Sequence, residues 1–419
     1  MRIANLAVLV VLLGAAKTSH ADDWRQFRGP GGMSVAESVA VPIEWDVQTG
    51  ANVAWEADLP GNGVSSPIVV GGRVVVTAAS GPDNDRLHVL AFDSATGRPL
   101  WRRRFWATGR TLCYRTSSVA APTPASDGEY VYAFYSSNDL VCLDLDGNLR
   151  WTRGLTLDHP GLGNDIGMAA SPIVVGDSVV VQCESQTASF VGAYHRGNGK
   201  TRWENPRPKD SNWTSPVAIP GGEADRSAGA VLLQGREGLA VHNGATGELL
   251  WQSSLRGATI PSPAVGSGMI LAPVDKLSLL KQVGEELEVV WRGGAAEPSA
   301  ASPVMHGGRA YVIARGGILY GIDLATGEQA FRKRLKGSFW ATPLVAGGKL
   351  FCINQDGDAY IVDAAGRGET LGTASFGDAI YGSPAAADGG MFVRSNAKLW
   401  KIAVVGQALV SPAATANRR

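Results

Sequence analysis

Residues Ser302–Phe331, SPVMHGGRAYVIARGGILYGIDLATGEQAF, contain the unit from which the chain is built. A Ser-Pro opens a short apolar run, and Gly-Gly leads into Ala310–Ala314. A second Gly-Gly leads into Ile318–Leu324, and Ala-Thr-Gly leads into a closing run. Runs rich in β-branched and aromatic residues, separated by turns whose Gly supplies positive φ, predict four strands joined by three tight turns.

The same opening recurs at Ser66-Pro67, Thr123-Pro124, Ser171-Pro172, Ser215-Pro216, Ser262-Pro263, Ser302-Pro303, Thr342-Pro343 and Ser383-Pro384. The spacings are 57, 48, 44, 47, 40, 40 and 41 residues, the length of a four-stranded propeller blade, with insertions in the early copies. Runs this short, cut by Gly, leave no helical stripe. A second marker is a Trp four residues after the third turn's Gly, at Trp101, Trp151, Trp203 and Trp251. Trp291 closes the fifth copy, Phe331 takes the place in the sixth, and Leu371 lies nearest it in the seventh. The eighth copy has no fourth strand of its own, but an orphan strand of that type, Asn52–Leu59 with Trp55, precedes the first Ser-Pro. Eight openings and seven closers plus Trp55 predict an all-β, eight-bladed propeller, closed by an N-terminal strand that completes the last blade and removes the open ends of a linear array. Trp55, Trp101, Trp151, Trp203, Trp251 and Trp291 are expected to lock blade to blade: a flat ring on an outer strand packs on the neighbouring backbone and gives its N–H a partner.

The predicted organisation is a signal peptide over 1–21, an extended segment over 22–51, one propeller domain over 52–405 and a disordered tail over 406–419. The first segment has Arg2, an apolar stretch Leu6–Ala16 too short to span a bilayer, and Ser19-His20-Ala21 as a cleavage site. The first Cys is Cys113, so no lipid-anchored terminus is expected. These features predict an exported periplasmic or secreted protein, soluble after cleavage and monomeric. The 53 Gly among 419 residues reflect turn density. Without Arg2 and Lys17 the chain has 36 basic and 38 acidic residues, a net of −2, which offers nothing to nucleic acid.

The repeated DxxTGxxxW, as in Asp93–Trp101, together with the Ser-Pro opening, resembles the pyrroloquinoline-quinone-like propeller repeat. That family includes quinoprotein dehydrogenases and the BamB subunit of the outer-membrane β-barrel assembly machinery. Trp24–Gly31, WRQFRGPG, resembles the start of secreted bacterial proteins of this type. The resemblance implies the propeller but leaves function open, because catalysts and scaffolds share the repeat. Quinoprotein dehydrogenases hold the quinone against adjacent cysteines, with an Asp base and a calcium site. This chain has no Cys-Cys pair, and neither the quinone nor calcium is expected.

Asp93, Asp144, Asp323 and Asp363 read as turn-makers. Asp144–Asn148 and Asn354–Asp358 begin like calcium loops, but Leu155 and Ala365 stand where a bidentate Glu is needed. The six His lack HExxH spacing and no GxSxG is present, so no catalytic residue is assigned. Cys142 and Cys183 read as small buried residues. The residues just before each Ser/Thr-Pro should converge on one mouth of the central channel. Most are small, whereas Trp213, Trp340 and Tyr381 are not. These three, with Arg115 and Asp165 of the loop Asp158–Ile166, are the candidate face for a protein or cell-envelope partner. The expected function is an exported scaffold without catalysis. The alternative is a quinoprotein-type oxidoreductase, or another ligand-binding enzyme, with its site at that mouth.

Overall fold

The computed structural model describes residues 23–163, 166–220, 229–283 and 286–404. The signal segment 1–21 and the tail 406–419 lie outside them, as does Asp165. Among the described residues the strands form eight sheets arranged as an eight-bladed propeller. Blade 1 is typical, with strands Ile68–Val70, Arg73–Ser80, Arg86–Asp93 and Pro99–Trp106. Blade 8 takes three strands from the C-terminal end, Ala385–Ala387, Gly390–Arg394 and Lys398–Ile402, and its outer strand from the start, Val53–Asp58. Trp55 pairs with Lys401 and Asp58 with Lys398, so the ring is closed as the orphan strand predicts.

The outer-strand aromatics clasp the next blade. The Trp55, Trp101, Trp151, Trp203 and Trp291 indole N–H groups donate to the carbonyls of Ser94, Leu145, Arg196, Gly244 and Leu324 at 2.8–3.1 Å. Each acceptor follows the turn-making Asp, His or Asn by one residue. The same rings lie on the turn glycines: a Cβ on Gly97, Gly147, Gly199, Gly247 or Gly327 would meet its Trp at 2.6–2.9 Å. These turns therefore need Gly twice over, for positive φ and for space. Phe331 covers Gly368 in the same way. Trp251 is half-buried, and the turn at the matching place in blade 5 includes residues 284 and 285, outside the described set.

In the seventh blade the register corrects the sequence reading. Gly372, not Leu371, pairs with Ile361 at the place where Ala91 pairs with Trp101. A Cβ on Gly372 would meet the Ile43 carbonyl oxygen at 2.3 Å, because the segment before blade 8 passes there. That segment does more than lie extended against the ring. Trp24 exchanges backbone bonds with Val69 of blade 1, and Arg25 reaches the Asp127 carbonyl of blade 2. Buried Arg28 donates to the Pro263 carbonyl of blade 5 at 2.5 Å. Val35–Ala36 then pairs in parallel with Val345–Ala346 of blade 7. Trp45 ends between blades 7 and 8, its ring 5.4 Å from that of Phe376, which lies 5.2 Å from Trp400.

Candidate functional site

The Ser/Thr of each opening faces the channel, and these residues form a belt. The backbone N–H of Ser66 donates to the Thr123 hydroxyl, Thr123 to Ser171, Ser171 to Ser215, Ser215 to Ser262, Ser262 to Ser302, and Thr342 to Ser383. All six bonds are 2.9–3.0 Å and run from one blade to the next. At these six joints a buried N–H needs an acceptor, and a short hydroxyl from the neighbouring blade supplies it.

Directly outside the belt, Ala121, Ala169, Trp213, Ile260, Ala300, Trp340 and Tyr381 gather round one cavity of about 270 Å³. The three candidate aromatics thus stand on one mouth. Trp213 is half-buried, its N–H donating to the Gly167 carbonyl at 2.8 Å. Trp340 is 43% exposed, and Tyr381 accepts from Gln355 at 3.3 Å. Arg115 is exposed beside Tyr114 and Thr116, which line the cavity.

Tyr114 and Ile166 line this mouth without having been singled out in the sequence, as does Phe27. The first two sit in the insertions 105–121 and 157–166, whose length marked the loops but not the residues that turn inward. Phe27 comes from the leader and lies in the channel next to Arg28, so this segment forms the cavity's floor. The leader meets the first hairpin turns, with Asp23 accepting from Gly71 N–H, and these turns lie at the end of the channel opposite the mouth. The insertions 81–85 and 105–121, and the described residues of 157–166, fall on the mouth side, since each first strand leaves the mouth and each second strand returns to it. Thr108 of the second insertion is anchored to the Asp139 carboxylate of blade 2 at 2.6 and 3.0 Å.

Among the described residues, the cavity lining holds no Asp, Glu, His, Lys, Arg or Cys. Pyrroloquinoline quinone is a polycarboxylate, for which this lining offers no cation, and calcium sites draw on carboxylates, of which the lining has none. No group of three or more His, Cys, Asp or Glu with metal-holding geometry occurs among the described residues. The turn carboxylates are occupied: Asp93 accepts from the Thr96 hydroxyl and from the Ala95 and Thr96 N–H groups. These bonds, the Thr96 hydroxyl first, hold its pKa below the usual range. Asn354 likewise accepts from Asp356 and Asp358, closing a hairpin and not a calcium loop. Cys142, Cys183 and Cys352 are buried free thiols, and burial raises the pKa of each.

Comparison with known proteins agrees with this architecture. A curated BamB of Alkalilimnicola ehrlichii is 34% identical over 164 residues, which is 38% of this chain and 37% of that protein's length. The crystal structure of BamB from Moraxella catarrhalis superposes with a TM-score of 0.61 at 14% identity, over 83% of this chain and 96% of that one. Quinohemoprotein alcohol dehydrogenase from Comamonas testosteroni superposes with a TM-score of 0.66 at 14% identity, over 94% and 82%. A europium-containing methanol dehydrogenase does so at 0.67 and 12%, over 91% and 98%. Structural likeness at these identities concerns the fold, and it extends equally to BamB and to dehydrogenases. The family profile for outer membrane protein assembly factor BamB matches residues 31–222 and 278–404, and the chain belongs to that family.

Proposed function

We propose that the protein is an exported, non-catalytic scaffold that acts as a single chain and holds a protein or cell-envelope partner on its mouth face. The observation that carries this reading is the mouth itself. Trp213, Trp340, Tyr381 and Tyr114 surround a floored cavity with no charged group in its described lining, on the face that also bears all three insertions. Aromatic anchors around a pocket are the usual currency of binding hot spots, whereas hydrolytic or redox chemistry needs a base, a nucleophile or cofactor ligands. Membership of a family described by an outer-membrane assembly factor supports a scaffold and an envelope location, as does the export signal read in residues 1–21. On this reading the protein works without pyrroloquinoline quinone or calcium.

The test is a photo-crosslinking amino acid placed at position 340 on the mouth, or at position 267 in a turn of blade 5 on the opposite face, in the native envelope. A discrete protein adduct from 340, lost on Trp213→Ala and absent from 267, is the expected result. Adducts of equal yield from both faces would overturn the assignment.

A further inference from the structure

Residues 98–115, RPLWRRRFWATGRTLCYR, contain six Arg and no acidic residue, in a chain whose 38 basic and 38 acidic residues balance overall. Strand Pro99–Trp106 is the outermost of blade 1 and has eight residues, where the other outer strands have five or six. Its side chains alternate. Arg103 and Phe105 turn toward blade 2, with Arg103 bound to the Gly147 carbonyl, whereas Arg102, Arg104 and Trp106 are exposed. Trp106 is 62% exposed and pairs across the sheet with Arg86, whose guanidinium lies 5.6 Å from its ring. Beyond the strand, exposed Leu112, Tyr114 and Arg115 continue the strip to the mouth.

Elsewhere in the ring Arg73, Arg153, Arg196, Arg207 and Arg236 are each paired with a carboxylate. Among the described residues Arg86, Arg102, Arg104 and Arg115 have none within ion-pair distance. Arg102 leans on His88, 3.2 Å away. That imidazole is held neutral by burial and then by Arg102, Arg104 and Arg86, which push its pKa down to about 4.

We infer that this edge is a docking strip for an extended, acidic polypeptide segment. The segment adds as a strand to Pro99–Trp106, sets carboxylates beside Arg102 and Arg104, and covers Trp106. An edge strand presents unpaired N–H and C=O groups to such an addition. Side chains two apart lie on one face, so alternate acidic residues of the added strand match the spacing of the two guanidiniums. An anionic lipid surface would also meet a positive charge. The arginines, however, are aligned along one open strand with an aromatic at its end, which favours a strand. The inference rests on the reading of the chain as a binding scaffold, but its test needs no knowledge of the natural partner.

The probe is a fluorescent peptide of alternating Glu and Val, titrated against the purified full chain. Binding is expected to weaken about tenfold or more on Arg102→Glu with Arg104→Glu, and to fall as salt rises. It should survive Arg102→Lys with Arg104→Lys, which controls for folding, and it should be lost when alternate peptide nitrogens are methylated. The inference is overturned if a Lys and Val peptide binds equally, if methylation changes nothing, or if vesicles of phosphatidylglycerol in phosphatidylcholine bind where the peptide does not. Failure here leaves the crosslink from position 340 standing, and loss of that crosslink leaves peptide binding standing.

Discussion

At the joint between blades 3 and 4, the Trp203 ring lies on Gly247 and its N–H is bonded to the Gly244 carbonyl. At the joint between blades 7 and 8 the corresponding position is Gly372, and the leader comes in from outside to fill the gap with Ile43 and Trp45. The two arrangements differ in how polar groups fare. The Trp203 N–H has a partner, whereas the buried Trp45 and Trp24 indole nitrogens have none among the described residues. A repeated joint can thus build specificity through an indole hydrogen bond, while the joint patched by the leader seats its indole by shape and apolar burial, the polar bonds there coming from the backbone of Val35–Ala36 and Asp46.

Removing residues 23–50 while keeping the strand Val53–Asp58 is the harshest way to break this comparison. It strips Trp24, Val39, Val41 and Trp45 from the core and takes away the cavity floor. The loss should be on the order of 5 kcal/mol after allowing for the entropy regained by the segment, read as a lower thermal midpoint. The same deletion sharpens the comparison through Gly372→Ala. In the intact chain this change collides with the Ile43 carbonyl and should destabilise; without the leader it should become neutral. Equal effects in both backgrounds would mean that the leader does not fill this joint.

Much of this was legible in the sequence because it is periodic. Ser-Pro, the turn glycines and Trp recur at fixed offsets, and the same bonds recur at six joints for the hydroxyls and five for the indoles, so the pattern carried blade number, closure by Trp55 and the converging mouth. The leader has no such echo. Arg28 contacts blade 5 more than 230 residues away, and Trp45 meets Phe376. Nothing local announces those partners, and nothing in the sequence places Phe27 in the channel, whereas Gly372 stands four residues after the turn Gly368, at the offset the Trp occupies elsewhere. The belt lies between these extremes. Its hydroxyls were visible as a marker, but their bonds run between blades and only the folded ring reveals them.

A milder probe compares Trp203→Phe with Trp45→Phe. The first leaves the Gly244 carbonyl without its donor and should cost about 1 kcal/mol beyond any packing loss. The second removes a buried donor that has no acceptor among the described residues, so it should cost less. A reversed order in chemical denaturation would refute the distinction.

The smallest expected effect belongs to His88 in the long blade 1. Its folded pKa of about 4 lies below the ordinary 6.5, so the unfolded chain binds the proton more readily. The contribution of this neutral ring is present above pH 6.5 and fades as pH falls through that value toward 4. His88 itself is buried but the arginines that share in the shift are exposed and screened by solvent, so the change should be on the order of 1 kcal/mol. His88→Gln should flatten the stability profile across that window, and an unchanged slope would assign the acid sensitivity to other groups.

The bond between the first and last blades also sets a timetable. Trp55 faces Lys401, so the strand made among the earliest must wait for nearly the whole chain before it finds its sheet. Loop closure over that distance is slow compared with forming a hairpin. A nascent molecule therefore accumulates finished inner hairpins while its ends remain apart. It completes the ring and the mouth together, in one late event, so half-made chains present no finished mouth to a partner.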